Sequence, residues 1–398
     1  MDTPLRNLDR FRRSCHKWGQ RSARRIASLA VPVVLGVGAC SDTITVASSA
    51  GLAGVSHEPL PPLDEVAFHA LGERRIAFWR SGEGGGIYRG GPGGLYVVDG
   101  ATGAVTGHFG GSWFDWPAVS PDGTELLVTH STPFPGSVDG FLDGGDLYVL
   151  AMDGSNVRRV RAGAAGVYQG PATWAPDGRI VFVEREPGLP RIGIRMGEPV
   201  EGGGLGELLH EYIEGAPAHL YRAWREVHPP RPAISVTGRI AIPASHSTLP
   251  GSLHLSAPGG PGFELLEVPS EGERSGAIRL DAVAWSPDGG ELALLETLLE
   301  TPLGRHRHQI RVRTLDFDTG TVRLVGAVPT SKVGDPLWHQ GRHSICWTPD
   351  GYALVFTATA GPFGSDLFLV PAAGGDPVLL VRTGTGDARF DGSVSCLD

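Results

Sequence analysis

A five-residue turn that recurs along this chain restricts its folding more than any other feature. Trp285-Ser286-Pro287-Asp288-Gly289 has near copies in Trp347-Thr348-Pro349-Asp350-Gly351 and Trp174-Ala175-Pro176-Asp177-Gly178. Val119-Ser120-Pro121-Asp122-Gly123 keeps all but the aromatic residue. Phe68-His69-Ala70-Leu71-Gly72 and Ile234-Ser235-Val236-Thr237-Gly238 are worn copies in the same rhythm. The glycines fall at 72, 123, 178, 238, 289 and 351, a period of 51 to 62 residues. A fixed period of this size marks a repeat architecture, in which one unit cannot bury its own apolar faces and must stack on its neighbours.

Each copy joins two short apolar runs, as Ala282–Trp285 and Glu291–Leu295 show. Proline presets φ, aspartate hydrogen-bonds the backbone just beyond itself, and glycine accepts positive φ. This is hairpin chemistry. Asp122, Gly123, Asp177, Gly178, Asp288, Gly289, Asp350 and Gly351 therefore read as structural turn residues, because a catalytic residue would be needed once and not in every copy. A second hairpin follows in most repeats, for example Leu147–Leu150 with Val157–Val160 and Leu367–Val370 with Pro377–Val381. Four strands per repeat and six repeats predict an all-β chain, a six-bladed β-propeller of four-stranded antiparallel blades over residues 63–398. The strand-like tail Phe390–Cys396 is expected to pair where the last and first blades meet.

The W-S-P-D-G turn, followed by a strand and an L-Y-V-x-D hairpin, resembles the TolB-like propellers of bacterial envelopes. The resemblance covers roughly residues 63–398. It implies a non-enzymatic scaffold that binds envelope proteins, peptidoglycan-associated lipoproteins among them. Some lyases of pectic fragments also resemble this repeat and hold a metal on histidines at the channel mouth, which gives a carbohydrate-active enzyme as the alternative.

Ahead of the repeats the composition changes. Residues 1–25 are basic, residues 26–39 are apolar or small, and Val37-Gly38-Ala39-Cys40 follows. Fourteen residues are too few to span a bilayer, which takes about 20. The pattern is that of an export signal over 1–39, and its end resembles a lipobox in which Cys40 is lipidated. Cleavage elsewhere and a short uncleaved anchor are the alternatives. Residues 40–62 are small, polar and proline-containing, and read as a flexible tether. A periplasmic or cell-surface location follows, with the membrane contacted through the lipid anchor only and the protein a monomer. Residues 1–39 carry eight basic and two acidic side chains, so the remainder has a net charge of −15 against −9 for the whole. A domain this acidic repels phosphate backbones and is not expected to bind nucleic acid.

Loop length is unequal. The hairpin turns are tight, while Ser81–Gly94, His130–Gly145, Glu296–His308, Gly110–Trp116, His210–Arg231, Pro269–Leu280 and Gly326–His343 read as long connections. In a radial meander these leave from one face, and long loops carry function more often than tight ones. Trp113, Trp116, Tyr168, Tyr221, Trp224, Trp338 and His339 are the candidate contacts on that face. His210, Tyr212, His219 and His228 also fall there. Aromatic residues are typical interface anchors; the competing reading is that they plug the loops onto the ring. His306, His308, His339 and His343 could converge on a metal, but no third ligand stands at predictable spacing, so no metal or cofactor is expected. Asp316-Phe317-Asp318-Thr319-Gly320 begins like a calcium loop, yet Ala327 occupies the place of the twelfth-position glutamate. The G-x-S-x-G nucleophile elbow is missing, so no catalytic set is expected. Cys346 and Cys396 form the disulfide candidate: export removes Cys15, lipidation occupies Cys40, and one pair remains in an oxidising compartment. Two buried thiols are the alternative.

Overall fold

The computed structural model describes residues 67–82, 91–111, 114–133, 142–152, 156–161, 167–185, 191–201, 204, 206–213, 231–244, 251–258, 262–268, 277–300, 307–330, 343–359, 365–382 and 391–397. These residues form six antiparallel blades of four strands. Blades two to six run in sequence from inner to outer strand. Their inner strands are Phe114–Val119, Tyr168–Trp174, Ala233–Ile234, Ala277–Trp285 and Ile345–Trp347. Blade one takes its inner strand from the other end of the chain: Asp391–Leu397 pairs antiparallel with Arg75–Gly82. Each inner strand touches those of its two neighbours, so the ring closes.

The tail thus pairs where the last and first blades meet, as its strand-like pattern leads one to expect. No strand precedes Phe68 among the described residues; Phe68–Leu71 is a 3-10 turn instead. Its Ala67 amide donates to the Leu380 carbonyl of blade six at 3.0 Å. The place that a strand before residue 68 would fill is taken by Asp391–Leu397. Among the described residues no helix is long and apolar enough to cross a membrane.

The repeated turn works through its own polar atoms. Ser120 Oγ donates to Asp122 at 2.6 Å and the Thr124 amide donates to the same carboxylate at 3.1 Å. Ser286 and Gly290 do the same for Asp288 at 2.6 and 3.0 Å. The glycine that ends the motif has φ between 71° and 85° at 123, 178, 238, 289 and 351, a region costly for any residue with a Cβ. The hydroxyl of Ser120 holds the Asp122 carboxyl below the usual range, and Ser286 does so for Asp288.

The core lies between blades. Between blades six and one it contains Phe68, Leu71, Ile76, Phe78, Val355 and Leu380. Between five and six it contains Leu295, Val312, Trp347, Leu354 and Phe356. Each sheet buries both faces, and a large apolar side chain removed from water contributes about 1.5–3 kcal/mol. A single blade has no partner for these faces, which is why the repeat must run full circle.

Candidate functional site

The inner ladder slips in register in four of the six blades, at about the same height. In blade two the register slips between Asp115 and Ala118, in blade three between Gln169 and Ala172, and in blade five between Leu280 and Ala282. In blade one the slip falls opposite Phe78 and Arg80, where the closing strand carries one extra residue. In blade four the described ladder stops at Ala233, next to Pro232, which has no amide to donate. In blade six no slip is seen: the Thr357 amide donates to the Ser344 carbonyl at 3.0 Å, and the Ser344 amide donates to Thr357 Oγ1 at 2.9 Å. Bulges re-aim side chains and are frequent at barrel rims and beside active sites.

The residues at this height are polar, strained or both. Trp116 has φ +58°, the only described non-glycine residue with positive φ, a conformation that costs on the order of 1–3 kcal/mol. Gly170 has φ +125°, and a Cβ there would lie 2.4 Å from Thr129 Oγ1. Thr129 and Gln169 are buried at 0% and 2% exposure, and Thr129 Oγ1 and Gln169 Oε1 have no hydrogen-bond partner. Buried groups of this kind accept a water or a polar ligand atom. On the blade-five bulge, Asp281 accepts from Arg279 Nε and Thr297 Oγ1. His343 is buried at the start of blade six.

Several side chains expected in the loops occupy strands. Phe114, Asp115 and Trp116 belong to the inner strand of blade two, and Trp116 is 2% exposed. Trp116 is therefore packed into the ring and presents no open face. Tyr168 starts the inner strand of blade three, paired with Arg185. His210 and Tyr212 lie on Glu207–Ile213, the outer strand of blade three. Trp113, Tyr221, Trp224, Trp338, His339, His219, His228, His306 and Cys40 lie outside the described residues. Glu296, which the sequence places at the start of a long loop, is fully buried inside Glu291–Glu300. There it accepts from Arg313 Nε at 2.8 Å and faces Arg311 Nη2 at 3.6 Å. The ladder is a backbone property and continues through such residues, so the connections are shorter than the apolar runs suggest.

One sequence signal for the bulges was available. Pro117, Pro171 and Pro232 each stand directly before an alanine and two or three residues ahead of the turn motif. Proline in a strand is confined to bulges, edges and strand starts, so this pattern foretells a broken ladder.

Cys346 and Cys396 are joined by a disulfide with a Cα–Cα separation of 5.7 Å. It links the inner strand of blade six to the closing strand. Among the described residues no group of three or more His, Cys, Asp or Glu side chains could hold a metal ion.

No family model and no curated protein matches this sequence. Solved structures of similar fold include the TolB protein of Acinetobacter baumannii, 12% identical over 83% of this chain and 76% of that one, with a TM-score of 0.39. An oligogalacturonate lyase in complex with manganese is 14% identical over 74% of this chain and 72% of that one, with a TM-score of 0.46. The periplasmic gluconolactonase of Pseudomonas aeruginosa is 14% identical over 81% of this chain and 99% of that one, with a TM-score of 0.48. Likeness this distant decides nothing about activity, and one fold hosts many functions.

Proposed function

We propose that this chain is an exported, lipid-anchored propeller of the bacterial envelope that binds a protein partner on its long-loop face. The observation that carries this reading is the inequality of the two faces. On one face, the turns satisfy their own polar groups, as Ser120, Asp122 and Thr124 do. The strands Arg75–Gly82, Glu125–Pro133, Glu207–Ile213 and Val322–Thr330 all run away from that face, and 8, 8, 19 and 14 residues separate them from the next strand. The Cys346–Cys396 bridge agrees with an oxidising compartment. Trp113, Tyr221, Trp224 and Trp338 remain the proposed anchors, with Tyr168 and His339 beside them.

The test uses partner captured from the native envelope and then purified. Trp224→Ala and Trp338→Ala are compared with Thr102→Ala on the turn face. Central anchors typically cost at least about 2 kcal/mol when cut to alanine, and remote residues little. Unchanged affinity in both tryptophan variants, with the fold intact, would place the site elsewhere. The acyl chain on Cys40 is checked by the intact mass of the membrane-bound form.

The four slipped inner ladders favour a second reading, a carbohydrate-active enzyme working at the channel mouth. Asp281 supplies a buried carboxylate there and Gln169 an unpartnered amide oxygen. Cleavage of acidic oligosaccharides that is lost in Asp281→Asn would favour it. Saturable partner binding without any turnover would favour the scaffold.

A further inference from the structure

We propose that His210 and His254 form a two-imidazole site for a divalent transition-metal ion of the zinc class, bridging blades three and four. The proposal does not rest on the partner-binding reading.

The two histidines come from separate sheets. His210 pairs with Ile194 on the outer strand of blade three. His254 lies on Ser252–Ser256, the third strand of blade four, opposite Ile242 and Leu265. Their ring centroids are 5.2 Å apart and their planes are tilted by 53°. With Zn–N bonds of about 2.0–2.1 Å and tetrahedral angles, two imidazoles on one ion have centroids about 5 Å apart. The observed separation already fits, and rotation about each metal–nitrogen bond leaves the tilt free.

Two further observations bear on the site. His210 Nε2 is buried and has no hydrogen-bond partner; leaving such an atom unsatisfied is costly, and coordination would satisfy it. The rings are also fixed: His210 stacks on Phe263 at 4.3 Å and His254 on Tyr212 at 4.5 Å. Both histidines are half-buried. With two protein ligands the site is exchangeable, unlike a closed structural zinc site. An ion there would join blade three to blade four, whose described inner strand is only Ala233–Ile234.

The experiment titrates the metal-stripped full chain with cobalt(II), read by its visible d–d absorption, and with zinc(II), read by melting temperature. The chain has 14 histidines, so the comparison is between wild type and His210→Phe or His254→Phe. Wild type should show a saturable tetrahedral cobalt band and a zinc-dependent rise in melting temperature. Each variant should lose both, with affinity at least about tenfold weaker, the usual penalty for disturbing a metal site. Phenylalanine keeps the stacking, so the metal-free melting temperature should hold. If His254→Phe does not fold, His254→Gln is read instead. Equal affinity in wild type and variants, loss in one variant alone, or no saturable band in wild type overturns the proposal.

Discussion

The indole nitrogen of Trp347 donates to the main-chain carbonyl of Ala284 at 3.0 Å, across the seam between blades five and six. Trp174 makes the same bond to Ala118, from blade three to blade two, at 3.0 Å. The aromatic residue of the turn motif is thus a bolt between consecutive blades as well as core volume. Trp285, at the same motif position in blade five, has a buried Nε1 with no hydrogen-bond partner, and its ring lies under the guanidinium of Arg239.

Replacement by phenylalanine separates the bolt from the volume. Trp347→Phe and Trp174→Phe should each cost about 1–3 kcal/mol beyond the lost ring area, because a buried carbonyl loses its donor. Trp285→Phe, with no such bond to lose, should cost clearly less. Denaturant midpoints of the three variants decide the matter, and equal losses would show that only volume counts.

How far the sequence could be read follows from the range of each interaction. The turns were legible because Ser286, Asp288 and Gly289 satisfy one another within five residues. The hairpins were legible from alternation, and the closing strand from its leftover apolar run. The bolt from Trp347 to Ala284 was not, since nothing local distinguishes a tryptophan that donates across a seam from one that merely packs. Glu296 was misplaced in a loop for a related reason: its partners Arg311 and Arg313 sit on the next strand, and a lone acidic residue reads as solvent-facing. His254 stands between two leucines on a short strand and gives no hint of His210. The broken inner ladders were half-legible, in the prolines at 117, 171 and 232.

Glu296 gives a sharp test of that buried network. Its carboxylate is fully buried and held by Arg313, with Arg311 beside it. Removing one partner of a buried pair leaves an uncompensated charge and typically costs about 3–5 kcal/mol. Glu296→Ala should therefore destabilise far more than Glu125→Ala, whose pair with Arg158 is part-exposed and is worth about 0–1 kcal/mol. The triple change of Glu296, Arg311 and Arg313 to leucine, which removes every charge of the network, should recover much of the loss. No recovery would assign the cost to packing.

Acid should weaken the seam between blades three and four. Burial first, and His210 second, lower His254 to about 4, and burial lowers His210 as well. The unfolded chain takes up these protons near pH 6.5 and the folded chain does not. Between about pH 6.5 and 4 the unfolded state binds more protons, so stability falls as pH falls through that window. Asp122 and Asp288, lowered by Ser120 and Ser286, add their own loss only at lower pH. In metal-free buffer, His254→Phe should flatten the melting-temperature profile between pH 6.5 and 4. A profile unchanged by the substitution would mean that the ring is as wet in the native protein as in the unfolded one.

Closure of the ring rests on a short segment with two kinds of support. Asp391–Leu397 ladders onto Arg75–Gly82, and its Val394 amide donates to Ser344 Oγ of blade six at 2.6 Å. The bridge from Cys346 to Cys396 adds a covalent link across the same seam, over a sequence separation of 50. For a loop of that length the chain-entropy account gives about 4 kcal/mol. Peptide mapping without reduction should recover the Cys346 and Cys396 peptides joined. Cys346→Ser with Cys396→Ser should then lower the denaturant midpoint, and hydrogen exchange should rise first in Asp391–Leu397 and Arg75–Gly82, since hydrogen bonds alone would hold the last strand. Separate peptides from unreduced protein, or a midpoint that the double serine variant leaves in place, would show that the ladder closes the ring unaided.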